Sequence, residues 1–272
     1  MVDPEIIKYI AVKTGLGINY ICKDAKISEL LEQLNQLFEK TKTYQLILKG
    51  GTAINRGYLE APKRFSEDLD LDYISKSPLS TKIDHVKTIL KNLRGVQLER
   101  SGLIHRTLRF DCRYVNEFQQ KDTIRIEFYF SHRSLVAAKP PKEKLLKSNL
   151  ESTKPCLFLI YSLEDIIARK LLALYNRTAG KDIYDTFYLL DLKFDLNYLK
   201  TAIVLLLRAF HLNLDLSKFV DAMLEALEKA FKQAKYIGNS TNHYLLRTYR
   251  PNWKQFIATL IRKIETLKPL LS

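Results

Sequence analysis

The residues with the clearest chemical reading are Asp68, Asp70 and Asp72, which alternate with Leu69, Leu71 and Tyr73. A period of two is that of a β-strand, so the acids share one face and the apolar residues the other. Carboxylates at i and i+2 lie roughly 6.5 Å apart along a strand, a spacing at which two of them can close on divalent cations. A charged edge strand that discourages aggregation would carry the same residues. Three acids on one face repel one another unless a cation or a basic partner relieves them, which favours metal. A D-x-D-x-D calcium loop is excluded, because its sixth and twelfth positions would be Tyr73 and Leu79 where Gly and Glu are required.

Other candidates surround this strand. Gly50-Gly51-Thr52 follows a short β-like run and precedes a helical one, where glycines let backbone amides approach a phosphate and a helix N-terminus favours negative charge. A tight turn would read the same way, and no G-x-x-x-x-G-K-[ST] phosphate loop occurs. Ser66 would share the acidic face if the strand reached back to it. Glu127 shares a face with Arg125 and Tyr129 in the alternating run Ile124 to Phe130. It supplies a third metal carboxylate if that strand lies beside Asp68, and otherwise pairs with Arg125 at the surface.

Lys170 falls on the apolar stripe Leu163, Ile166, Ile167 and Leu174, and Arg177 points the same way seven residues later. Both cations either reach phosphates or snorkel to solvent. Asp182 and Asp185 follow, with helix capping as the plain alternative for each.

These residues need elements to hold them. Helical periodicity covers Ile27 to Phe38, with Ser28 a candidate cap, and strands are expected at Tyr44 to Leu48 and Asp68 to Tyr73 with a short helix at Ala53 to Leu59 between them. A helix at Lys82 to Leu93 and strands at Val96 to Glu99, Thr107 to Val115 and Thr123 to Phe130 follow. Beyond Lys139-Pro140-Pro141-Lys142 the pattern turns helical: Ser162 to Tyr175, Ile183 to Leu192, Leu196 to Phe210, Leu216 to Ala234 and Trp253 to Leu267. The expected organisation is an α+β domain with a mixed sheet over residues 1–150 and a helical domain over 151–272 that closes the active-site cleft.

The 272 residues carry a formal net charge of +14, a balance that attracts polyanions such as RNA, although a solvated lysine-rich surface has the same charge. No apolar run is long enough to span a membrane. Asp3, Pro4 and Glu5 stand where a signal peptide would carry basic residues, so the cytoplasm is expected. Cys22, Cys112 and Cys156 are too widely spaced for a zinc motif and are expected to be inert thiols.

With these pieces in place, the sequence resembles the AbiEii (MenT-like) toxins, which have the nucleotidyltransferase fold of DNA polymerase β. Lys49-Gly50-Gly51-Thr52-Ala53-Ile54 is close to the family's K-G-G-T-x-L, and Arg64-Phe65-Ser66-Glu67-Asp68-Leu69-Asp70-Leu71 to its R-F-S-E-D-[IL]-D-L. Lys170-Leu171-Leu172-Ala173-Leu174 with Arg177 matches K-L-x-A-L-x-x-R, and Lys181-Asp182-Ile183-Tyr184-Asp185 matches R-D-[LI]-[YF]-D with Lys in place of Arg, which keeps the charge and loses bidentate recognition.

The resemblance implies that Gly50, Gly51 and Thr52 hold the triphosphate, that Asp68 and Asp70 bind two Mg²⁺ ions (or Mn²⁺), that Lys170 contacts phosphate and that Asp185 completes the site. It implies transfer of a nucleotide from an NTP, a pyrimidine such as CTP, to the 3′ end of tRNA, with a cognate antitoxin as partner. Lys144, Lys147, Arg169, Arg177 and Lys181, then Arg247, Arg250, Lys254, Arg262 and Lys263, are the cations expected to meet tRNA phosphates. Transfer to a protein hydroxyl and a non-catalytic nucleic-acid-binding module remain alternatives.

Overall fold

The structure, a computed structural model, describes residues 2–38, 43–60, 63–130, 134–148 and 155–271. The chain divides into two compact units. The first comprises Met1–Leu135, Pro141–Ile160 and Leu246–Thr248, and the second Val136–Pro140, Tyr161–Leu245 and Tyr249–Ser272. The division expected near residue 150 falls within 149–154, outside the described residues.

The first unit opens with two helices, α1 (Pro4–Thr14) and α2 (Ile18–Leu37). Asp3 caps α1 by accepting from the Glu5 amide at 2.8 Å, and Gly15 closes it in the left-handed region at φ 70°. Asp3-Pro4-Glu5 is thus a helix start, a signal the sequence reading left unused. α2 begins nine residues before the expected Ile27. Ile21, Cys22 and Ala25 extend its apolar stripe backwards and pack in a small cluster with Ile7 of α1. Ser28 is therefore no cap: it lies inside α2, where its hydroxyl donates to the Asp24 carbonyl.

The strands β1 (Tyr44–Lys49), β2 (Asp68–Ser75), β3 (Gln97–Ile104), β4 (Thr107–Val115), β5 (Lys121–Tyr129), β6 (Lys142–Leu146) and β7 (Cys156–Ile160) form one mixed sheet in the order β3-β4-β5-β2-β1-β7-β6. Two helices join the early strands: α3 (Gly50–Gly57) connects β1 to β2, and α4 (Leu79–Leu90) leads towards β3. β6 and β7 stand where no strand was expected. Their alternation is short, and β7 runs within two residues into the cap of the next helix, so periodicity does not separate them.

The apolar face expected for β2 is present, with Leu69 and Leu71 fully buried and Tyr73 4% exposed. Tyr73 stacks on Tyr44 and bonds His85, closing the end of this core.

α2 is tied to the segments around it by a buried ion pair. Arg56 Nη2 lies 2.7 Å from Asp24 Oδ1, Arg56 Nη1 donates to Ser28 Oγ, and Ser148 Oγ donates to the other Asp24 oxygen. All three cysteines have their thiols pushed up chiefly by burial, Cys22 and Cys112 to about 12 and Cys156 to about 11.

The second unit is helical: α5 (Leu163–Arg177), α6 (Gly180–Leu189), α7 (Leu196–Ala209), α8 (Leu216–Lys232), α9 (Ala234–Thr241) and α10 (Trp253–Leu271). Ser162 caps α5 as expected, accepting from the Asp165 amide. α6 and α9 cross so tightly that a Cβ on Gly180 would lie 2.1 Å from Thr241 Oγ1. Among the described residues, no helix is long and apolar enough to cross a membrane.

Replacing Arg56 by Met strands the Asp24 carboxylate in the core and is expected to cost about 3–5 kcal/mol. The measurement is the urea unfolding midpoint. The Asp24→Asn/Arg56→Met double variant should regain part of the loss, because it leaves no lone charge.

Candidate active site

In the first unit the site grows from the junction of β1, α3 and β2. β2 pairs with β1 antiparallel, setting Asp70 opposite Lys49, and with β5 in parallel, setting Asp68 beside Arg125 and Asp70 beside Glu127. The three acids of β2 do not remain equivalent. Asp72 is 2% exposed and takes Lys49 as its ion-pair partner, and the same ammonium sits 4.4 Å from the centre of the Tyr129 ring. Asp68 and Asp70 stay half-buried at the open end of the strand.

The glycines of α3 exist because nothing larger fits. Gly50 adopts φ +69°, and a Cβ there would lie 2.1 Å from Asp70 Oδ2. A Cβ on Gly51 would lie 2.2 Å from Arg64 Nη2 and 2.8 Å from Ser66 Oγ. Lys49 offers α3 no side-chain cap, so the first amides of the helix and a buried guanidinium stand together beside the Asp70 carboxylate. That combination of backbone donors, a cation and hard oxygen ligands suits a nucleotide phosphate with a divalent metal. Among the described residues Asp70 has no ion-pair or hydrogen-bond partner, which fits a carboxylate kept for a cation.

Other expected residues turn out to be committed locally. Thr52 is buried and its hydroxyl donates to the Asp68 carbonyl at 2.8 Å, locking α3 to the start of β2. β2 starts at Asp68, so Ser66 is not part of the strand and meets the site through its contact distance to Gly51 instead. Glu127 is in register with Asp70, yet its Oε1 is 2.7 Å from Arg109 Nε on β4, an ion pair without hydrogen-bond geometry.

The expected alternative pairing of Glu127 with Arg125 does not form. Arg109 and Asp111 stand directly opposite Glu127 and Arg125 on β4, closer than a residue two positions along the same strand, and Arg125 takes Asp111 at 3.3 Å. Among the described residues no three His, Cys, Asp or Glu side chains gather as a metal-ligand group.

Arg64 was not singled out by the sequence reading. It is 3% exposed, donates from Nη1 to the Phe65 carbonyl and lies against Gly51. Asn55 joins it by donating to the Gly51 carbonyl at 2.9 Å and so braces the turn. The available signal was Arg64's position at the head of the R-F-S-E-D run.

The second unit holds a separate charged network. Lys170 neither snorkels nor faces water: its ammonium lies 2.9 Å from Asp182 Oδ1 and 2.8 Å from Asp185 Oδ2, with all three residues buried. Arg177 approaches Asp182 at 2.7 Å while its own side chain stays 66% exposed. Asp182 is the third residue of α6 rather than its cap, a place held by Ala179. Burial pushes the Asp182 carboxyl up, but Lys170 and Arg177 outweigh it and hold the group well below the usual carboxylate range. Lys181 rests 3.6 Å from the centre of the Tyr244 ring.

Comparison with known proteins identifies the family to which the chain is matched. Residues 32–268 match the model of a family described as the nucleotidyl transferase AbiEii toxin of the type IV toxin–antitoxin system. The chain is similar in structure to MenT4, a nucleotidyltransferase toxin from Mycobacterium tuberculosis H37Rv, with 14% identity and a TM-score of 0.59 over 100% of this chain and 99% of that one. It also aligns with JHP933 from Helicobacter pylori at 21% identity and a TM-score of 0.48, over 94% and 97% of the two chains. No curated protein matches. At 14% identity the likeness to MenT4 establishes the nucleotidyltransferase fold alone.

Gly50→Ala should destabilise the protein by only about 1–2 kcal/mol, the cost of a side chain in the left-handed region. Displacement of the Asp70 carboxylate should lower nucleotidyl transfer about 10²-fold, read as kcat with an unfolding curve alongside. Acid should also loosen the helical unit. Asp182 is depressed in the folded state, so its contribution is complete above the unfolded value near about 4 and lost as pH falls below it. Asp182→Asn should flatten that acid dependence in a pH series of denaturation midpoints.

Proposed function

Because the chain belongs to the AbiEii family of nucleotidyltransferase toxins, we propose that it transfers a nucleoside monophosphate from an NTP, a pyrimidine such as CTP, to the 3′ end of tRNA with Mg²⁺. The observation that carries the reading is the meeting of Gly50 and Gly51 with Asp70 and Arg64 at less than side-chain distance. Amides and guanidinium together bind the triphosphate, and the carboxylates of Asp68 and Asp70 hold the metal. Bound there, divalent cations would activate the attacking hydroxyl and neutralise the departing pyrophosphate. Glu127 joins as a third ligand only by leaving Arg109. In the helical unit, Arg177 is the cation assigned to the nucleotide, with Lys170 and Asp185 acting beside it. An NTP substrate and a cognate antitoxin follow from the family.

The net charge of +14 supports an RNA acceptor. Several of the cations expected to meet RNA are occupied within their own unit. Arg169 donates to the Val136 carbonyl and stacks over Tyr161, Lys144 donates to the Gly57 carbonyl, and Lys263 pairs with Asp191.

Incubation with each labelled NTP and purified tRNA, total RNA or cell-extract protein tests the acceptor. Label in tRNA, declining steeply with salt, is the expected result. A labelled protein band with unlabelled RNA would overturn it. Asp68→Asn and Asp70→Asn should each reduce transfer at least about 10³-fold, a loss of several kcal/mol of transition-state stabilisation, with unchanged circular dichroism.

A further inference from the structure

The helical unit carries a second chemically coherent pocket, of about 690 Å³, where α8, α9 and α10 meet. Three of its lining residues are Lys232, Lys235 and Lys254, all exposed. Unlike Lys170, Lys263 or Lys268, none of these three has an ion-pair partner among the described residues. No acid lines the pocket. Lys254 reaches over the ring of Phe231 at 5.3 Å from its centre, so cation and flat apolar surface face the same space.

The carboxamides in the wall are also biased towards donation. Asn242 Oδ1 accepts from the Trp253 indole at 2.8 Å, and Asn252 Oδ1 accepts from the Gln255 amide at the start of α10. Each oxygen is thereby held towards the protein, and both NH₂ groups remain to donate to a ligand. The indole is fixed in turn, because α9 approaches it so closely that a Cβ on Gly238 would lie 2.5 Å from Trp253 Cδ1.

Ammonium and amide donors call for an anionic ligand rich in acceptors, and the aromatic wall calls for a flat ring. A simple anion would leave that wall and most of the volume empty. We propose that the pocket binds a nucleotide of single-stranded RNA, with its phosphates on Lys232, Lys235 and Lys254 and its base against Phe231 at the indole edge. This rests on the reading of RNA as acceptor and gives the helical unit its own hold on that substrate.

Trp253 is the chain's single tryptophan, so the indole emission of the intact protein reports on this pocket. Titration with oligo(A) or oligo(C) RNA should quench it saturably. Free AMP or CMP should bind at least about tenfold more weakly, since fewer phosphates are held, and inorganic phosphate at equal ionic strength should leave the emission unchanged. Each of Lys232→Gln, Lys235→Gln and Lys254→Gln should flatten the slope of log affinity against log salt by about 0.7. Phe231→Leu should weaken binding and leave that slope as it is.

The triple lysine variant should raise KM for RNA and leave KM for NTP unchanged. Quenching by phosphate alone, free nucleotide binding as tightly as RNA, or an unaltered slope in the triple variant would each overturn the proposal. Failure of the acceptor reading has a different signature: oligonucleotide RNA still quenches the wild type, but no labelled NTP enters RNA.

Discussion

Asp68, Asp70 and Asp72 lie on one side of one strand, and how their repulsion is relieved governs the first unit. Lys49, the last residue of the neighbouring strand, neutralises Asp72. The chain then turns at once into α3 through two glycines whose missing side chains make room for Asp70, Arg64 and Ser66. A larger residue at either glycine would push the carboxylate or the guanidinium away. The same packing that relieves Asp72 therefore leaves Asp70 against the glycine turn, beside the first amides of α3.

The neighbouring strands extend this logic across the sheet. Arg109 with Glu127 and Arg125 with Asp111 alternate in sign on directly opposed positions, so the face beyond Asp70 is a grid of paired charges rather than a further acidic patch. The helical unit solves its own problem by burying a lysine between two aspartates, with Arg177 adding a second cation at the surface. Burying such ions is costly unless their geometry is held, and the tight crossing of α6 with α9 at Gly180 fixes the helix that carries both acids.

Much of this was legible in the residues themselves. Strict alternation from Asp68 to Tyr73 predicts both the strand and its two faces, because a period of two admits one backbone geometry. Lys170 stood out as a charge on an apolar stripe, but its partners lie beyond a turn, at Asp182 and Asp185, where spacing along the chain says nothing about approach in space. The helix before Ile27 and strands β6 and β7 escaped because their stripes are short and broken by polar residues. Arg64 escaped for a related reason: its importance comes from the absence of a side chain on Gly51, a vacancy no pattern of residue types displays. The pocket around Trp253 draws its lysines from three separate helices, and only Lys254 was noted in the linear reading.

The three thiols bear on how such an activity can be governed. With Cys22 and Cys112 pushed up to about 12 and Cys156 to about 11, only about one thiol in 10⁴ or fewer is ionised near neutrality. Peroxide and disulfide exchange act on the thiolate, so burial that favours the neutral thiol shields these three side chains from both.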